Sequence, residues 1–205
     1  GGAGTSTNMN ANEVICNIAL EYMGHAKGQY QYLHPNNDVN MSQSTNDVYP
    51  TAIRLALLGD LERYQLRLTE MVQSLKTKGL AFHDVLKMGR TQLQDAVPMT
   101  LGQEFHAFAS ILQQDLPLLA SLPELLGRVN LGGTAIGTGI NAPAHYQELA
   151  LAALSRISHN HIQAAPDLIA ATSDMGDFVL VSGYLKRTAT KLSKIANDLR
   201  LLSSG

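Results

Sequence analysis

The sequence has little of several residue types that often carry function. It contains no tryptophan, one cysteine (Cys16) and only 16% charged residues among its 205. A single cysteine cannot form an internal disulfide or a CxxC metal pair, and a net charge of −2 leaves no broad basic surface for nucleic acid or an anionic membrane. Apolar runs are shorter than a membrane-spanning helix, and no signal-peptide pattern is present. These absences predict a cytoplasmic protein that binds neither nucleic acid nor membrane.

Several ligand-binding motifs are also missing. Gly132–Thr138 has the GxxxxG spacing of a phosphate-binding loop, but Thr138 stands where that loop needs a lysine. The seven histidines include no HExxH pair, and His159 and His161 are too close in sequence to share one helical face. No serine lies in a GxSxG turn. The sequence therefore predicts no nucleotide binding, no metal site and no serine-hydrolase triad.

Apolar residues make up 45% of the chain and recur at helical spacing. Beyond Thr51 they step by threes and fours over roughly six turns. That stripe comprises Ile53, Leu57, Leu61, Tyr64, Leu68, Met71 and Leu75. Similar stripes follow Pro98 and cover the last thirty or so residues. The pattern predicts an all-α fold, a bundle of long helices.

Five helices are predicted, and caps and breakers set their bounds. Asn8 or Asn10 caps the first, over about 11–23, and Gly24 ends it. The second begins near Thr51 and the third at Pro98, where prolines 117 and 123 should each bend or end it. A glycine-rich loop leads to the fourth over 146–157, and a cap near residue 172 or 173 starts the last.

The stretch Gly89–Glu104 is predicted to pass from a polar loop into a helix. Asp95 can cap that helix, and Pro98 suits its first turn. Thr91 and Gln92 place uncharged hydrogen-bonding groups just ahead of the positive helix end, where a small carboxylate could bind. The same residues fit an ordinary helix start without a ligand, and local chemistry favours this simpler interpretation.

Hydroxyl and amide side chains precede three of the predicted helices, in Thr5–Asn8, Ser42–Asp47 and Thr91–Gln92. Each cluster taken singly is an ordinary helix cap. Three such clusters in one bundle could instead converge on a small polyanion.

Four segments resemble the fumarase/aspartase superfamily: Gly4–Asn10, Ser42–Asp47, Gly89–Asp95 and Leu131–Asn141. They stand in the family's order, and the resemblance runs essentially from end to end. Ser6 and Gln92 favour the aspartase branch, because fumarases usually carry Gln and His at these two positions. The resemblance implies the central helical domain of that fold. It also implies reversible conversion of L-aspartate to fumarate and ammonia, without an organic cofactor, through abstraction of a β-proton and an enediolate intermediate.

By the same resemblance, Thr5, Ser44 and Thr45 would hold the β-carboxylate of the substrate and its enediolate. Neutral donors suit this role, since they stabilise the growing negative charge without trapping the dianionic product.

Thr91 would bind the α-carboxylate, and Asn46, helped by Gln92, would contact the leaving ammonium group. Where relatives carry His in place of Gln92, proton transfer is a natural role. Gln cannot titrate, so Gln92 is expected to act by hydrogen bonding only.

No catalytic residue is expected in this chain. Family members use a serine base on a mobile glycine-serine loop, with Lys and Asn beyond it, and that pattern is absent; Ser203–Gly205 does not match it. The chain also opens at Gly1 without an initiator Met and stops directly after a predicted helix. We therefore expect residues 1–205 to be a central helical-bundle domain that lacks the N-terminal domain, the catalytic loop and the C-terminal domain.

The resemblance further implies a homotetramer with active sites shared between subunits, acting on a small dicarboxylate. Surplus apolar helix surface is consistent with such an assembly. Two alternatives stay open: a fumarate hydratase of the same superfamily, and a non-catalytic helical interaction fragment.

Overall fold

The computed structural model describes residues Gly4–Ser204 and is 65% helical. Seven α-helices lie in this part of the chain: α1 (Thr5–Tyr22), α2 (Thr45–Ala81), α3 (Leu101–Gln113), α4 (Leu116–Leu126), α5 (Tyr146–Ser158), α6 (Leu168–Ser173) and α7 (Gly176–Leu202). The predicted all-α fold with long helices is confirmed. Within the described residues, no helix is both long and apolar enough to cross a membrane.

Two small pairs of strands accompany the helices. Strands β1 (Leu86–Thr91) and β2 (Gln94–Thr100) form an antiparallel hairpin, with an irregularity in register between Met88 and Arg90. Strands β3 (Arg128–Val129) and β4 (Gln163–Ala164) pair in parallel. A π-helical turn lies between α1 and α2, at residues 35–39.

The predicted helix start near Asp95 is wrong. Pro98 pairs with Met88 inside the hairpin, and the helix begins only at residue 101. Thr100 caps it through a capping box, in which the Thr100 hydroxyl and the Gln103 side chain each accept the other residue's main-chain N–H. This reciprocal pair satisfies two helix-end donors, which a lone aspartate five residues earlier cannot do. Thr91 therefore lies on a strand and not ahead of a helix N-terminus.

Two other helices begin earlier than predicted. Helix α1 starts at Thr5, with Gly4 as its cap, so neither Asn8 nor Asn10 is a cap. Asn8 is buried and its side chain bonds to other segments instead. Helix α2 starts six residues before Thr51 and contains a proline.

The two prolines beyond α3 differ in their effect on the helices. Helix α3 ends at Gln113, and Pro117 is the second residue of α4, where a proline is tolerated. Pro123 lies inside α4 and does not end it. Thr172 and Ser173 close the short helix α6, which Asp167 caps, so the predicted cap of α7 at these residues is wrong.

The chain divides into two compact units. The first unit comprises Gly1–Leu58 and Glu124–Met175, and the second comprises Gly59–Pro123 and Gly176–Gly205. The core of the second unit is a cluster of buried side chains from α2, α3 and α7: Leu68, Val72, Phe108, Ala109, Leu112 and Ile195. In the first unit, buried apolar residues include Cys16 and Leu20 of α1, both fully buried.

Asp115, between α3 and α4 in the second unit, is a fully buried carboxylate that three side chains of α7 satisfy. It accepts hydrogen bonds from Arg187 Nε at 2.8 Å, Lys191 Nζ at 2.5 Å and Thr188 Oγ1 at 3.0 Å. Burial by itself raises the pKa of Asp115, but the hydrogen bonds from Lys191, Arg187 and Thr188 outweigh it, so the pKa lies below its ordinary value. The ionised carboxylate thus fastens α7 to the end of α3.

We predict that Asp115→Asn in the full-length protein lowers the free energy of unfolding by about 2 kcal/mol at neutral pH. This is less than for a fully buried pair, because the Arg187 side chain is 48% exposed. A lowered pKa stabilises the fold above the unfolded-state value of about 3.9, and that stability is lost as pH falls through the folded-state pKa. The difference in free energy of unfolding between Asp115→Asn and the wild type should therefore shrink below about pH 4. Urea titrations over this pH range measure it.

The matched control is Asp60→Asn, which removes an exposed carboxylate paired with Arg63 on the same helix. It should change stability little. An equal loss in both variants, or a loss in Asp115→Asn that is independent of pH, would contradict the ionic role of Asp115.

Candidate functional site

Ser44 directly precedes α2 and caps its first turn. Its hydroxyl oxygen accepts the main-chain N–H of Asn46 at 3.2 Å, and the Asp47 carboxylate accepts the main-chain N–H of Ser44 at 2.9 Å. This is a capping box with aspartate as its acid. The Ser44 hydroxyl can still form a second hydrogen bond, because an oxygen that accepts from an N–H can also donate its own hydrogen. Ser44 can therefore cap the helix and donate to a ligand.

Thr45 has the same arrangement through a different partner. The Asn8 side chain on α1 donates to Thr45 Oγ1 at 3.1 Å and to the side-chain oxygen of Asn40 at 3.2 Å. Since Thr45 Oγ1 accepts there, its hydrogen is directed elsewhere. Two adjacent residues thus present hydroxyl donors whose oxygen atoms are held in place.

Thr5, the first residue of α1, is exposed, and Gly4 sets its position beside α2. Gly4 has a φ of +85°, and a β-carbon placed on it would lie 2.3 Å from the ring of Tyr49 on α2. Only glycine allows both this conformation and this approach. Together with the Asn8–Thr45 bond, this contact packs the first turn of α1 against the start of α2.

Asn46 follows Thr45 and is exposed, but its side chain is oriented. Its Nδ2 donates to the carbonyl oxygen of Ala135 at 2.7 Å, which leaves Oδ1 as the accepting atom of the amide. The main-chain carbonyl of Asn46 accepts from the Asn130 side chain at 3.0 Å. That carbonyl would otherwise bond to the N–H of the residue four positions on, which is Pro50 and has none.

The glycine-rich loop 131–141 meets this segment at Asp47. The Asp47 Oδ2 atom accepts the main-chain N–H of Gly132 at 3.1 Å and of Thr134 at 2.9 Å. Burial raises the pKa of the Asp47 carboxyl, although the N–H groups of Ser44, Thr134 and Gly132 act in the opposite direction. Burial also raises the pKa of Tyr146, and the negative charge of Asp47 adds to that effect.

Thr91 and Gln92 belong to the second unit and lie at the tip of the β1–β2 hairpin. Gln92 and Leu93 form its two-residue turn, with φ values of +51° and +63°. Such turns need positive φ at both positions and usually contain Asn and Gly, so this turn is strained. Both predicted site residues are exposed.

A cavity of about 490 Å³ lies between the hairpin and the end of α7 in the second unit. Its wall includes Thr91 and Gln92 as well as charged residues from both elements. Those charges are paired: Lys87 with Glu104 at 2.5 Å, Arg90 with Asp95 at 3.6 Å, and Lys194 with Asp198. Within residues 4–204, no group of three His, Cys, Asp or Glu side chains is arranged to hold a metal ion.

The structure thus gathers four of the predicted site residues in the first unit (Thr5, Ser44, Thr45 and Asn46), and it places Thr91 and Gln92 in the second. Sequence reasoning missed the residues that support the first group. Asp47 lies within a segment that resembles the family, but the sequence assigns it no role. Asn8 suits a helix cap, and nothing in the sequence points to Asn130 or to the carbonyl of Ala135.

Comparisons with known proteins show the family of the chain. The sequence pattern of a protein family described as Lyase matches residues 1–205, the whole chain. The aspartate ammonia-lyase of Pseudomonas aeruginosa is 70% identical over 206 residues, covering 100% of this chain and 44% of the relative. The aspartate ammonia-lyase of Escherichia coli (strain K12) is 56% identical, covering 100% of this chain and 43% of the relative.

Two solved structures match the fold of the whole chain. A Brucella melitensis protein described as fumarate lyase:delta crystallin bound to cobalt matches with a TM-score of 0.97 and 60% identity, covering 100% of this chain and 45% of that chain. A class II fumarase from Schistosoma mansoni matches with a TM-score of 0.90 and 34% identity, covering 100% and 46%.

The chain therefore belongs to this lyase family, whose solved members share its fold. It spans less than half the length of the curated aspartate ammonia-lyases that it matches.

We predict that Gly4→Ala in the full-length protein destabilises the first unit more than Gly24→Ala does. Both glycines have a φ above +80°, so alanine costs about 1–2 kcal/mol at either position. Only Gly4 meets another side chain, the Tyr49 ring; nothing lies within 4 Å of the position that a Gly24 β-carbon would take. The overlap should add at least about 1 kcal/mol to the loss. Urea titration of both variants measures the difference, and equal losses would show that the Tyr49 contact does not fix the start of α1.

Proposed function

We propose that this chain is the central part of an aspartate ammonia-lyase, which converts L-aspartate reversibly to fumarate and ammonia. The observation that carries the proposal is the set of groups at residues 44–46: two hydroxyl donors and one amide oxygen, each fixed by a neighbour. Hydroxyl donors suit a carboxylate, and an amide oxygen suits an ammonium group. The substrate carries both. The names of the two similar bacterial enzymes support the same assignment.

The proposed reaction places its greatest electrostatic demand on the β-carboxylate. A base removes a proton from the β-carbon, and the C–H electron pair moves into the carboxylate to give a dianionic enediolate. That pair then forms the carbon–carbon double bond while the Cα–N bond breaks, and the nitrogen leaves with its electrons as ammonia. Fixed hydroxyl donors at Ser44 and Thr45, with Thr5 nearby, would stabilise the enediolate because they need no reorganisation when the charge develops.

The other end of the substrate is assigned to the remaining predicted residues. Asn46 Oδ1 would accept from the ammonium group, because its Nδ2 already donates to Ala135. Thr91 would bind the α-carboxylate from the hairpin tip, with Gln92 as a hydrogen-bonding neighbour of the ammonium group. The strained turn that carries Gln92 supports a functional role, because strain of this kind is concentrated at functional sites.

The base belongs to the same proposal. The family resemblance assigns it to a serine on a loop beyond Gly205, with the N-terminal and C-terminal domains also outside residues 1–205. No organic cofactor takes part in the proposed chemistry. A cytoplasmic location completes the proposal, supported by the absence of disulfides among the described residues, whose one cysteine is Cys16.

A homotetramer with shared active sites is the proposed assembly. Apolar side chains that are 42% to 68% exposed on two helices support it: Val14, Ile15 and Ile18 on α1, and Val179, Leu180 and Leu185 on α7. Surfaces of this kind usually pack against a partner. Sedimentation equilibrium showing a monomer of the full-length protein would exclude this assembly.

Full-length enzyme containing this chain is predicted to raise the ultraviolet absorbance of fumarate when given L-aspartate. The chain of residues 1–205 by itself should give no turnover, because the base is proposed to lie outside it. Fumarate formation from L-malate alone would favour the fumarate hydratase alternative, and no turnover of either substrate would leave the non-catalytic alternative. Turnover by the 205-residue chain would contradict the placement of the base.

Single hydroxyl groups should have large effects in the full-length enzyme. Thr45→Val is predicted to lower kcat by about 100-fold, as for loss of one oxyanion donor, whereas Thr45→Ser retains most of the activity. Thr91→Ala should lower turnover by at least about tenfold. The control is Thr69→Ala, an exposed threonine of α2 that bonds only to its own helix. Steady-state kinetics on L-aspartate measures all four, and wild-type activity in Thr91→Ala would return Thr91 to a purely structural role.

A further inference from the structure

Asp47 is fully buried beside three proposed substrate ligands, yet the mechanism above gives it no part. Both carboxylate oxygens are occupied. Oδ1 accepts the main-chain N–H of Ser44, and Oδ2 accepts those of Gly132 and Thr134. All three donors are N–H groups, which an ionised carboxylate can satisfy because it only accepts. The side chain therefore joins the start of α2 to the glycine-rich loop.

A closed ring of bonds runs through this carboxylate. From Thr134 the chain passes to Ala135, whose carbonyl accepts from the Asn46 side chain at 2.7 Å. Asn46 is the residue before Asp47, which completes the ring. A further bond joins the amide of Asn130, the residue just before the loop, to the Asn46 carbonyl, and Asn130 also donates to Thr172 at 3.1 Å.

The two ends of the substrate site have different supports. The Ser44 hydroxyl is held by the Asn46 N–H and the Thr45 hydroxyl by the Asn8 side chain, and neither bond involves the glycine-rich loop. The Asn46 amide, in contrast, is oriented by the loop carbonyl of Ala135. Whatever holds the loop in place therefore decides which amide atom faces the substrate.

We propose that Asp47 is a positioning residue for ammonium recognition: it holds the glycine-rich loop so that Ala135 fixes the Asn46 amide with Oδ1 toward the ammonium group. This inference rests on the proposed function. Without the carboxylate, the N–H groups of Gly132 and Thr134 lose their buried acceptor and the loop moves. Asn46 can then turn its NH₂ group toward the ammonium ion, where a donor meets a donor and binding is lost.

The test is Asp47→Ala in the full-length enzyme, assayed in the direction that joins ammonium to fumarate. The KM for ammonium should rise at least tenfold, and at least threefold more than the KM for fumarate. Ser44 loses the acceptor of its main-chain N–H in this variant, but the hydrogen bonds that hold the Ser44 and Thr45 hydroxyls do not involve Asp47. Asp47→Asn keeps one accepting oxygen, so it should show the same bias with a smaller change; it also serves if the alanine variant fails to fold. A purely structural role would lower the active fraction, and therefore kcat, and would leave both KM values unchanged.

Hydrogen exchange provides a readout that does not depend on activity. In Asp47→Ala, the peptide covering residues 131–141 should exchange faster than in the wild type, because two of its amides lose their acceptor. The matched control is Asp115→Ala, which removes the other fully buried carboxylate and should leave both the KM ratio and this peptide unchanged.

Each outcome either supports or overturns the role of Asp47 in ammonium recognition. A selective rise in the ammonium KM together with faster exchange supports the inference. Parallel changes in the two KM values, or a selective rise with unchanged exchange in the loop, overturn it while the proposed function stands. A wild-type enzyme that does not interconvert aspartate with fumarate and ammonium overturns the proposed function and this inference together.

Discussion

The buried carboxylate of Asp47 accepts main-chain N–H groups from a segment 85 residues further along the chain, and these bonds join the start of α2 to the glycine-rich loop. A carboxylate removed from water must have its oxygens satisfied, so both segments have to meet it in the conformations that present their N–H groups. Thr134 adopts a positive φ there, and the main-chain N–H of Ser44 donates to Asp47 Oδ1. One polar group thus fixes two loops that have few apolar side chains to hold them.

A missing helix hydrogen bond in α2 strengthens the connection between the start of this helix and the glycine-rich loop. Pro50 removes the N–H that would bond to the Asn46 carbonyl within the helix, and the Asn130 amide takes its place. A helix-breaking residue thereby creates an acceptor for another segment at the point where the proposed ligands lie. The hydroxyl groups of Ser44 and Thr45 also serve both the fold and the proposed site. Their oxygens accept structural hydrogen bonds, while their hydrogens stay available to a carboxylate.

Much of this protein could be predicted from its sequence. Apolar periodicity predicted the long helices because burial of one face requires it, and the four recognised segments predicted the family. The start of α3 could not be located, since Asp95 and Thr100 both resemble caps and only the pairing of Pro98 with Met88 decides between them. The predicted start of α1 was wrong for a related reason. Asn8 suits a cap, but its side-chain amide donates to Asn40 and Thr45.

By itself, then, the sequence determined the helical class, the membership of the lyase family and the identities of the proposed ligands, because these follow from side-chain type and order along the chain. Only the tertiary structure decided which side-chain atoms of Ser44, Thr45 and Asn46 are available. The accepting or donating role of Thr45 and Asn46 depends on what occupies the other atoms of the same group. Those partners, Asn8 and the Ala135 carbonyl, are 37 and 89 residues away, and no local pattern records a bond over such a distance.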